Sequence, residues 1–230
     1  LVSPGAQTHA FESRLAAHAA PDACRARYGL GVDAAPLVFA TGDGNHSMAA
    51  AKAHWERVKA TLSPEERETH PARWVLAELV NLHDGSICFE AVHRLLLDTD
   101  TSDALHFLTD WLAAEIPQDA KPCPITIRRQ GQEMQFMLPV PDGVLPVTVL
   151  QSALDAYLHA HPRAGIDFIH GTDTLLHLAD APGRIGFVLP DFPKEQLFPY
   201  VMQDGVLPRK TFSMGTALEK RYYLEARAIR

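Results

Sequence analysis

The sequence is poor in cysteine and in basic side chains. Only three cysteines occur among 230 residues, and none forms a Cys-x-x-Cys pair, so neither a zinc ribbon nor a dithiol redox site is indicated. Cys24, Cys88 and Cys123 are far apart and predict reduced thiols in a cytoplasmic protein. Lysine and arginine number 21 against 28 acidic residues, a net charge of −7. Binding of duplex nucleic acid through global charge is therefore not expected.

Long apolar runs are also missing. No run approaches the roughly 20 residues that span a bilayer, so no membrane partner is predicted. Hydrophobic residues make up 47% of the chain and charged residues 21%, which is typical of a folded globular protein and excludes wholesale disorder. The chain starts with Leu1 and has neither the basic nor the apolar region of a signal peptide. We therefore expect a fragment whose N-terminal part has been removed.

Periodicity and turn residues predict an α/β or α+β fold with a mixed sheet. Helices are predicted over residues 10–20, 46–60, 103–115, 147–161, 172–179 and 194–203, with the fifth capped by Thr172 or Asp173. Strands are predicted over residues 36–41, 73–82, 87–97, 125–129, 134–138, 166–170, 184–189 and 221–229. A proline-containing linker at 117–124 divides an α/β part, 1–116, from an α+β part, 117–230. We expect the two parts to pack as one unit.

Residues 38–52 predict a strand, a glycine turn and a helix in succession. Free N–H groups and the dipole at the start of a helix favour an anion, and glycine lets a ligand approach the backbone closely. The candidate phosphate-binding residues are Gly42, Asp43, Gly44, Asn45, His46 and Ser47. Neither a Walker motif nor a Gly-x-Gly-x-x-Gly motif is present. A tight turn capped by Asn45 or Ser47 explains the same residues, and this alternative stays open.

A second group of candidates lies at and after the end of the strand predicted at 73–82. Ligand sites of α/β proteins collect at strand ends, so Glu78, His83 and Asp84 are candidate catalytic residues. A Mg²⁺ ion that bridges a phosphate and one carboxylate would use Asp43 or Asp84. The alternative is a solvent-exposed turn.

Two further groups carry charge or acid–base chemistry. Glu90, His93 and Arg94 lie on the strand predicted at 87–97 and are additional site candidates. Arg209 and Lys210 are candidate phosphate ligands, because cations neutralise phosphate charge in the transition state of phosphoryl transfer. Surface ion pairs and solubilising charge are the alternative explanations.

Four stretches of the sequence resemble one protein family. They read TGDGNHS at 41–47, ELVNLHD at 78–84, FEAVHR at 89–94 and LPRKTFS at 207–213. Together they resemble, in family order and over nearly the whole chain, the bacterial and archaeal family known as domain of unknown function 1015. Members of that family are usually longer at the N-terminus, which agrees with the fragment expected here.

The Asp-Gly-x-His signature at 43–46 is in turn similar to the phosphate-binding turn of ParB, sulfiredoxin and free-serine-kinase proteins. This resemblance implies a ParB/sulfiredoxin-like core in which a strand, the turn and a helix hold nucleotide phosphates. The sequence departs from it at Ser47, where a phosphate-binding arginine is common. The catalytic acid of the kinase relatives lies upstream of the signature, and no residue here is assigned to it.

These observations predict a nucleotide- or phosphate-binding protein, with an ATP-dependent small-molecule kinase as the leading activity. Its expected cofactors are Mg²⁺ and ATP or another nucleotide, and its expected partner is a small-molecule substrate. Two alternatives remain open at this point: a metal-dependent phosphoester hydrolase, and a non-catalytic regulatory module that binds nucleotide. A homodimer is compatible with each of them.

Overall fold

The computed structural model describes residues 5–42 and 44–215, which fall into two compact units. The described part of the first unit comprises residues up to Asp84 together with Glu195–Gly205. The second comprises Gly85–Lys194 and residues 206–215. The linker predicted at 117–124 lies inside the second unit.

The described residues form eight α-helices and six strands, and this confirms an α+β fold. The helices are α1 Ala6–Ala19, α2 Pro21–Tyr28, α3 Asn45–Lys59, α4 Pro64–Thr69, α5 Thr101–Glu115, α6 Pro146–Ala160, α7 Thr172–Ala179 and α8 Leu197–Asp204. The strands are β1 Phe89–Leu97, β2 Lys121–Arg129, β3 Gln132–Val140, β4 Gly165–His170, β5 Ile185–Val188 and β6 Phe212–Met214. Short 3-10 turns lie at Pro71–Arg73 and Lys194–Gln196.

The six strands form one sheet in the second unit, with antiparallel pairing throughout. The strand order is β3-β2-β5-β1-β4, and β6 pairs with the first residues of β1. The predicted hairpin at 125–138 is confirmed as β2–β3, in which Ile125 lies opposite Phe136. In the middle of the sheet Arg94 lies opposite Phe187 of β5 and opposite Phe168 of β4. The sheet therefore surrounds Arg94 with aromatic neighbours on both sides.

The sheet separates two clusters of buried apolar side chains. Neighbouring residues of a strand point to opposite faces, so Leu95 and Leu96 of β1 belong to different clusters. The larger cluster joins the sheet to α5 and α6 through Leu96, Ile127, Leu108, Leu112, Leu150 and Leu154. The smaller one joins the other face to α7 through Leu95, Ile169, Leu175 and Ala179. The second unit is thus a sheet covered by helices on both faces.

Helix α7 approaches β5 closely at Gly186. A Cβ atom built at Gly186 would lie 2.9 Å from Ala179 Cβ and 3.0 Å from Leu175 Cγ, so only glycine fits there. The prediction that Thr172 or Asp173 caps this helix was wrong. The N-cap is Gly171, and no side chain caps the helix, because the Thr172 hydroxyl lies 3.0 Å from the ring of His93 instead.

The first unit is helical within its described residues and has few buried side chains. Cys24 of α2 is fully buried, and Tyr28 stacks on Phe198 of α8 with ring centroids 5.5 Å apart. Helix α4 begins with a capping box, in which Ser63 Oγ accepts from the Glu66 backbone N–H and the Glu66 carboxylate accepts from that of Ser63. These local contacts, more than a large core, define the helices of this unit.

Two strands predicted for the first unit are wrong. Residues 36–41 and 73–82 form no strand, and their side chains are largely exposed: Phe39 by 55%, Trp74 by 55% and Leu76 by 64%. A strand needs a hydrogen-bonded neighbour, and no described segment pairs with either stretch. The strand–glycine turn–helix arrangement therefore lacks its strand. The strand predicted at 221–229 lies outside the described residues.

Two further findings concern membrane-spanning helices and the cysteines. No helix in residues 5–42 or 44–215 is long and apolar enough to cross a membrane. All three cysteines are free thiols, with Cys24 buried, Cys123 half-buried and Cys88 exposed. Burial raises the pKa of the Cys123 thiol, which keeps it protonated at neutral pH.

Candidate functional site

Two of the candidate stretches meet in the second unit where β6 pairs with β1. Glu90, which is half-buried, lies opposite Ser213 in the antiparallel register. Further along β1, Nη2 of Arg94 is 3.5 Å from the backbone oxygen of Arg209, to which it donates. The pairing therefore brings Arg94 and Arg209 together although 115 residues separate them in the chain.

Arg94 is fully buried and is held by neutral groups. Its Nε donates to Gln151 Oε1 at 2.7 Å, and its Nη1 donates to the carbonyl of Val92 at 2.6 Å. Gln151 in turn donates from Nε2 to the carboxylate of Asp155 at 2.8 Å. Among the described residues, no carboxylate bonds directly to the Arg94 guanidinium. The Arg94 guanidinium is thus connected to Asp155 by hydrogen bonds only indirectly, through the amide of Gln151.

The environment of Arg94 lowers its pKa to about 10. Burial is the main cause; the charge of Asp155 acts in the opposite direction, and the charge of Arg209 lowers the pKa further. Because 10 is far above neutral pH, Arg94 carries its positive charge under physiological conditions. The Phe168 ring contributes a favourable contact, since the guanidinium carbon of Arg94 lies 4.7 Å from the ring centroid.

Arg209 and Lys210 lie in an exposed turn beside this buried charge. The Arg209 guanidinium lies 5.8 Å from the centroid of the same Phe168 ring. Thr211 closes the turn by donating from its hydroxyl to the Pro208 carbonyl at 2.7 Å. Lys210 has a φ of 59°, in the left-handed region that favours glycine. None of the ion pairs formed by the described residues includes Arg209 or Lys210.

His93 lies on β1 next to Arg94, and both of its ring nitrogens have protein partners. Nδ1 accepts from the backbone N–H of Leu189 at 3.2 Å. The neutral ring therefore carries its proton on Nε2, which donates to the hydroxyl of Thr172 at 3.0 Å. Burial lowers the pKa of His93, and this favours the neutral form. In this arrangement His93 connects β1 to the end of β5 and to the start of α7.

The glycine turn at 42–47 lies in the first unit, and Asp43 is outside the described residues. Helix α3 begins at Asn45, and its N-cap Gly44 has a φ of 74°. The first helical hydrogen bond runs from the Met48 N–H to the Gly44 carbonyl at 2.9 Å. No side chain caps the helix, and Gly42, Asn45, His46 and Ser47 are exposed.

Glu78, His83 and Asp84 also lie in the first unit, in an exposed segment without regular structure. A turn around Asn81 orients the last two: the His83 N–H donates to Asn81 Oδ1 at 3.2 Å, and the Asp84 N–H donates to the Asn81 carbonyl at 3.0 Å. Within the described part of the chain, no group of three or more His, Cys, Asp or Glu side chains is placed to hold a metal ion.

Gln151, Asp155 and Phe168 belong to the Arg94 site although the sequence did not identify them. For Gln151 a signal exists, because it falls four residues after buried Val147 and three before buried Leu154, on the apolar stripe of α6. A polar side chain inside such a stripe needs a polar partner. Nothing local distinguishes Phe168, which reaches the site only through the pairing of β4 with β1.

The family model described as a protein of unknown function, DUF1015, matches residues 10–164. The chain belongs to this family. Three of the four stretches that resemble DUF1015 lie inside the matched residues, and the stretch with Arg209 and Lys210 lies beyond them. No curated protein and no solved structure matches the chain. The DUF1015 match therefore assigns a family without an activity.

Proposed function

We propose that this DUF1015 protein binds a phosphorylated small molecule, with a nucleotide as the leading ligand, and that Arg209 and Lys210 contact the phosphate. The observation that carries the proposal is the buried Arg94, whose charge has no carboxylate in direct contact among the described residues. Arg94 donates a hydrogen bond to the backbone carbonyl of Arg209. This contact positions the backbone from which the exposed Arg209 side chain extends.

The electrostatics of this cluster favour an anion. Burial is the main cause of the lowered pKa of Arg94, and repulsion by the positive charge of Arg209 lowers this pKa further. A phosphate beside Arg209 and Lys210 would offset this repulsion and would accept hydrogen bonds from both side chains. The left-handed backbone of Lys210 supports the same proposal, because strained residues persist mainly where the surrounding structure or a function requires them.

Phosphoryl transfer, phosphoester hydrolysis and regulated binding without turnover all need this phosphate contact. We place small-molecule kinase activity first, because phosphoryl transfer depends on positioning and on charge neutralisation more than on covalent groups of the protein. Mg²⁺ would enter already bound to the nucleotide phosphates. The start of α3, where Asn45, His46 and Ser47 are exposed, is a second place where a phosphate could bind, and the binding experiment separates the two.

The binding experiment is calorimetric titration of the 230-residue chain with ATP, ADP and inorganic phosphate, each with and without Mg²⁺. We expect saturable binding that the double variant Arg209→Gln/Lys210→Gln weakens at least tenfold, since a hydrogen bond to a charged group contributes about 1.5–3 kcal/mol. Arg163→Gln, which removes an exposed arginine from the same unit, is the matched control and should bind as the wild type does.

Three results would overturn the proposal. They are no saturable binding by the wild type, equal losses in Arg163→Gln and in the double variant, and a loss confined to Asn45→Ala/His46→Ala. The last result would assign the phosphate to the start of α3. If binding is found, phosphorus NMR of the protein with ATP and Mg²⁺ distinguishes hydrolysis, which releases inorganic phosphate, from binding without turnover. Transfer to an added small molecule would give a new phosphoester signal.

A further inference from the structure

Strand β3 forms one edge of the sheet and is long and almost uncharged. It has nine residues, about 30 Å at ~3.4 Å per residue. One side pairs with β2, and no strand within residues 5–42 or 44–215 pairs with the other side. From Met134 to Val140 the strand contains no charged residue. Its one charged side chain, Glu133, forms an ion pair with Arg128 of β2 at 3.1 Å.

The opposite edge of the sheet has a different character. Strand β4 has six residues, and the exposed Asp167 lies in its middle. Short length and an exposed charge are the features by which proteins prevent edge strands from pairing with other chains. β3 is longer, its single exposed charge, Glu133, lies near its first residue, and its only proline, Pro139, lies next to its last residue. Among the described residues, the sheet therefore has one short edge with a charge in its middle and one long edge whose central residues are uncharged and whose outer side pairs with no strand.

Apolar side chains are exposed on both faces of β3. Met134 is 42% exposed and Met137 is 60% exposed, and their spacing places them on opposite faces of the strand. Beside Met134 lies an open groove of about 280 Å³ between the strand and α5. Its lining residues are Ser102, Leu105, His106, Thr109, Arg129, Met134 and Phe136. An added strand at this edge would therefore also cover apolar surface.

We propose that the unpaired edge of β3 pairs with β3 of another copy of this chain. The two strands run antiparallel and are related by a two-fold axis. An antiparallel edge is its own complement, because a two-fold rotation matches each exposed N–H with a carbonyl of the other copy. A register centred on Phe136 places Met134 opposite Leu138 and Glu133 opposite Pro139. No two like charges meet in this register.

The near absence of charge on this edge also favours a second copy over a charged peptide. A charged partner would need an opposite charge on the edge, and the only one, Glu133, is already neutralised by Arg128. A copy of β3 brings the same uncharged run and the same exposed methionines to the contact. This inference does not depend on the proposed phosphate site, which lies at β1 and β6 instead of β3.

The test is the molar mass of the 230-residue chain in solution, measured by sedimentation equilibrium over a range of concentrations. We expect the wild type to approach twice the 25.3 kDa chain mass. Met134→Lys/Met137→Lys should be monomeric at the same concentrations, since lysine at an edge opposes strand pairing. Val206→Lys adds the same type of charge at a residue that is 89% exposed and outside β3, and it should remain dimeric.

Circular dichroism tests whether each variant is folded. If the double variant is unfolded, Gln135→Lys replaces it as the edge variant. A monomeric wild type would overturn the inference, as would a dimer that survives both edge variants. A dimer lost equally in Val206→Lys would also overturn it, because the contact would then not be specific to β3.

Discussion

Arg94 illustrates how single residues determine the candidate site. Its guanidinium donates to one amide oxygen, Gln151 Oε1, and to two backbone carbonyls, those of Val92 and Arg209. All three acceptors lose their donor if the side chain is removed. A buried acceptor without a donor costs about 1–3 kcal/mol, so the side chain stabilises the fold as well as the position of Arg209.

Arg94→Met should therefore lower the free energy of unfolding by about 2–4 kcal/mol, measured by urea denaturation. The cause is the unpaired Gln151 amide together with the two carbonyls. Arg94→Met/Gln151→Leu removes both partners of the strongest contact and should recover part of the loss. A loss below about 0.5 kcal/mol in the single variant would contradict this account of the buried cation.

His93 gives a prediction about pH. The charged groups around it are Asp191, Arg94 and His170, and burial is the largest cause of its lowered pKa. As the pH falls from 7 to 5, the unfolded chain protonates this histidine before the folded chain does. The unfolded state then binds more protons, so folding stability decreases with falling pH.

The check is the free energy of unfolding at pH 7 and at pH 5 in the wild type and in His93→Asn, whose amide oxygen can still accept from the Leu189 N–H. The wild type should lose more stability on acidification than the variant does. Parallel pH profiles for the two proteins would show that His93 is not the group responsible.

Among the elements of the fold, the close approach of α7 to β5 makes a sharp prediction. Gly186→Ala places a Cβ within 3.0 Å of side chains on α7, so helix and strand must separate. We expect a loss of about 1–3 kcal/mol in the free energy of unfolding. Gly165→Ala on β4 is the matched control, because its Cβ would lie 3.7 Å from the nearest atom, at ordinary contact distance.

Thermal and urea unfolding of both glycine variants measure this difference. Equal stability of Gly186→Ala and Gly165→Ala would mean that α7 is not packed against β5 as described. The comparison also tests the smaller apolar cluster, since Leu175 and Ala179 contact both Gly186 and the rest of that cluster.

Most elements of the second unit follow from the sequence because their patterns are local. The helix at 147–161 and the hairpin at 125–138 have clear periodicity and turn residues, and both are confirmed. The predicted strands at 36–41 and 73–82 were wrong for a non-local reason. Apolar β-branched residues indicate that a segment can be a strand, but the partner that would pair with it is not visible in the segment.

The sequence predicted individual residues of the candidate site but not the contact between them. Arg94 and Arg209 were identified separately, but their contact depends on the pairing of β1 with β6, which no local pattern encodes. The residues of the glycine turn and those around Asp84 lie in the first unit, whereas Arg94 and Arg209 lie in the second. The order of these residues along the chain does not show which of them belong to the same compact unit.

At the scale of the whole molecule, the division of the chain at Asp84–Gly85 can be tested by proteolysis. Residues 74–80 have no regular structure and expose Trp74, Leu76 and Leu79. Brief digestion with chymotrypsin should cut there before it cuts the helices and strands of the second unit. Mass spectrometry of the first fragments identifies the site, and first cleavage within 121–140, in β2 and β3, would contradict the division.

The most direct test of the phosphate proposal is a crystal structure of the 230-residue chain grown with ATP and Mg²⁺. We expect phosphate oxygens within about 3 Å of the Arg209 guanidinium and the Lys210 ammonium group. Nucleotide density at the start of α3, with Arg209 and Lys210 bound only to solvent, would contradict it.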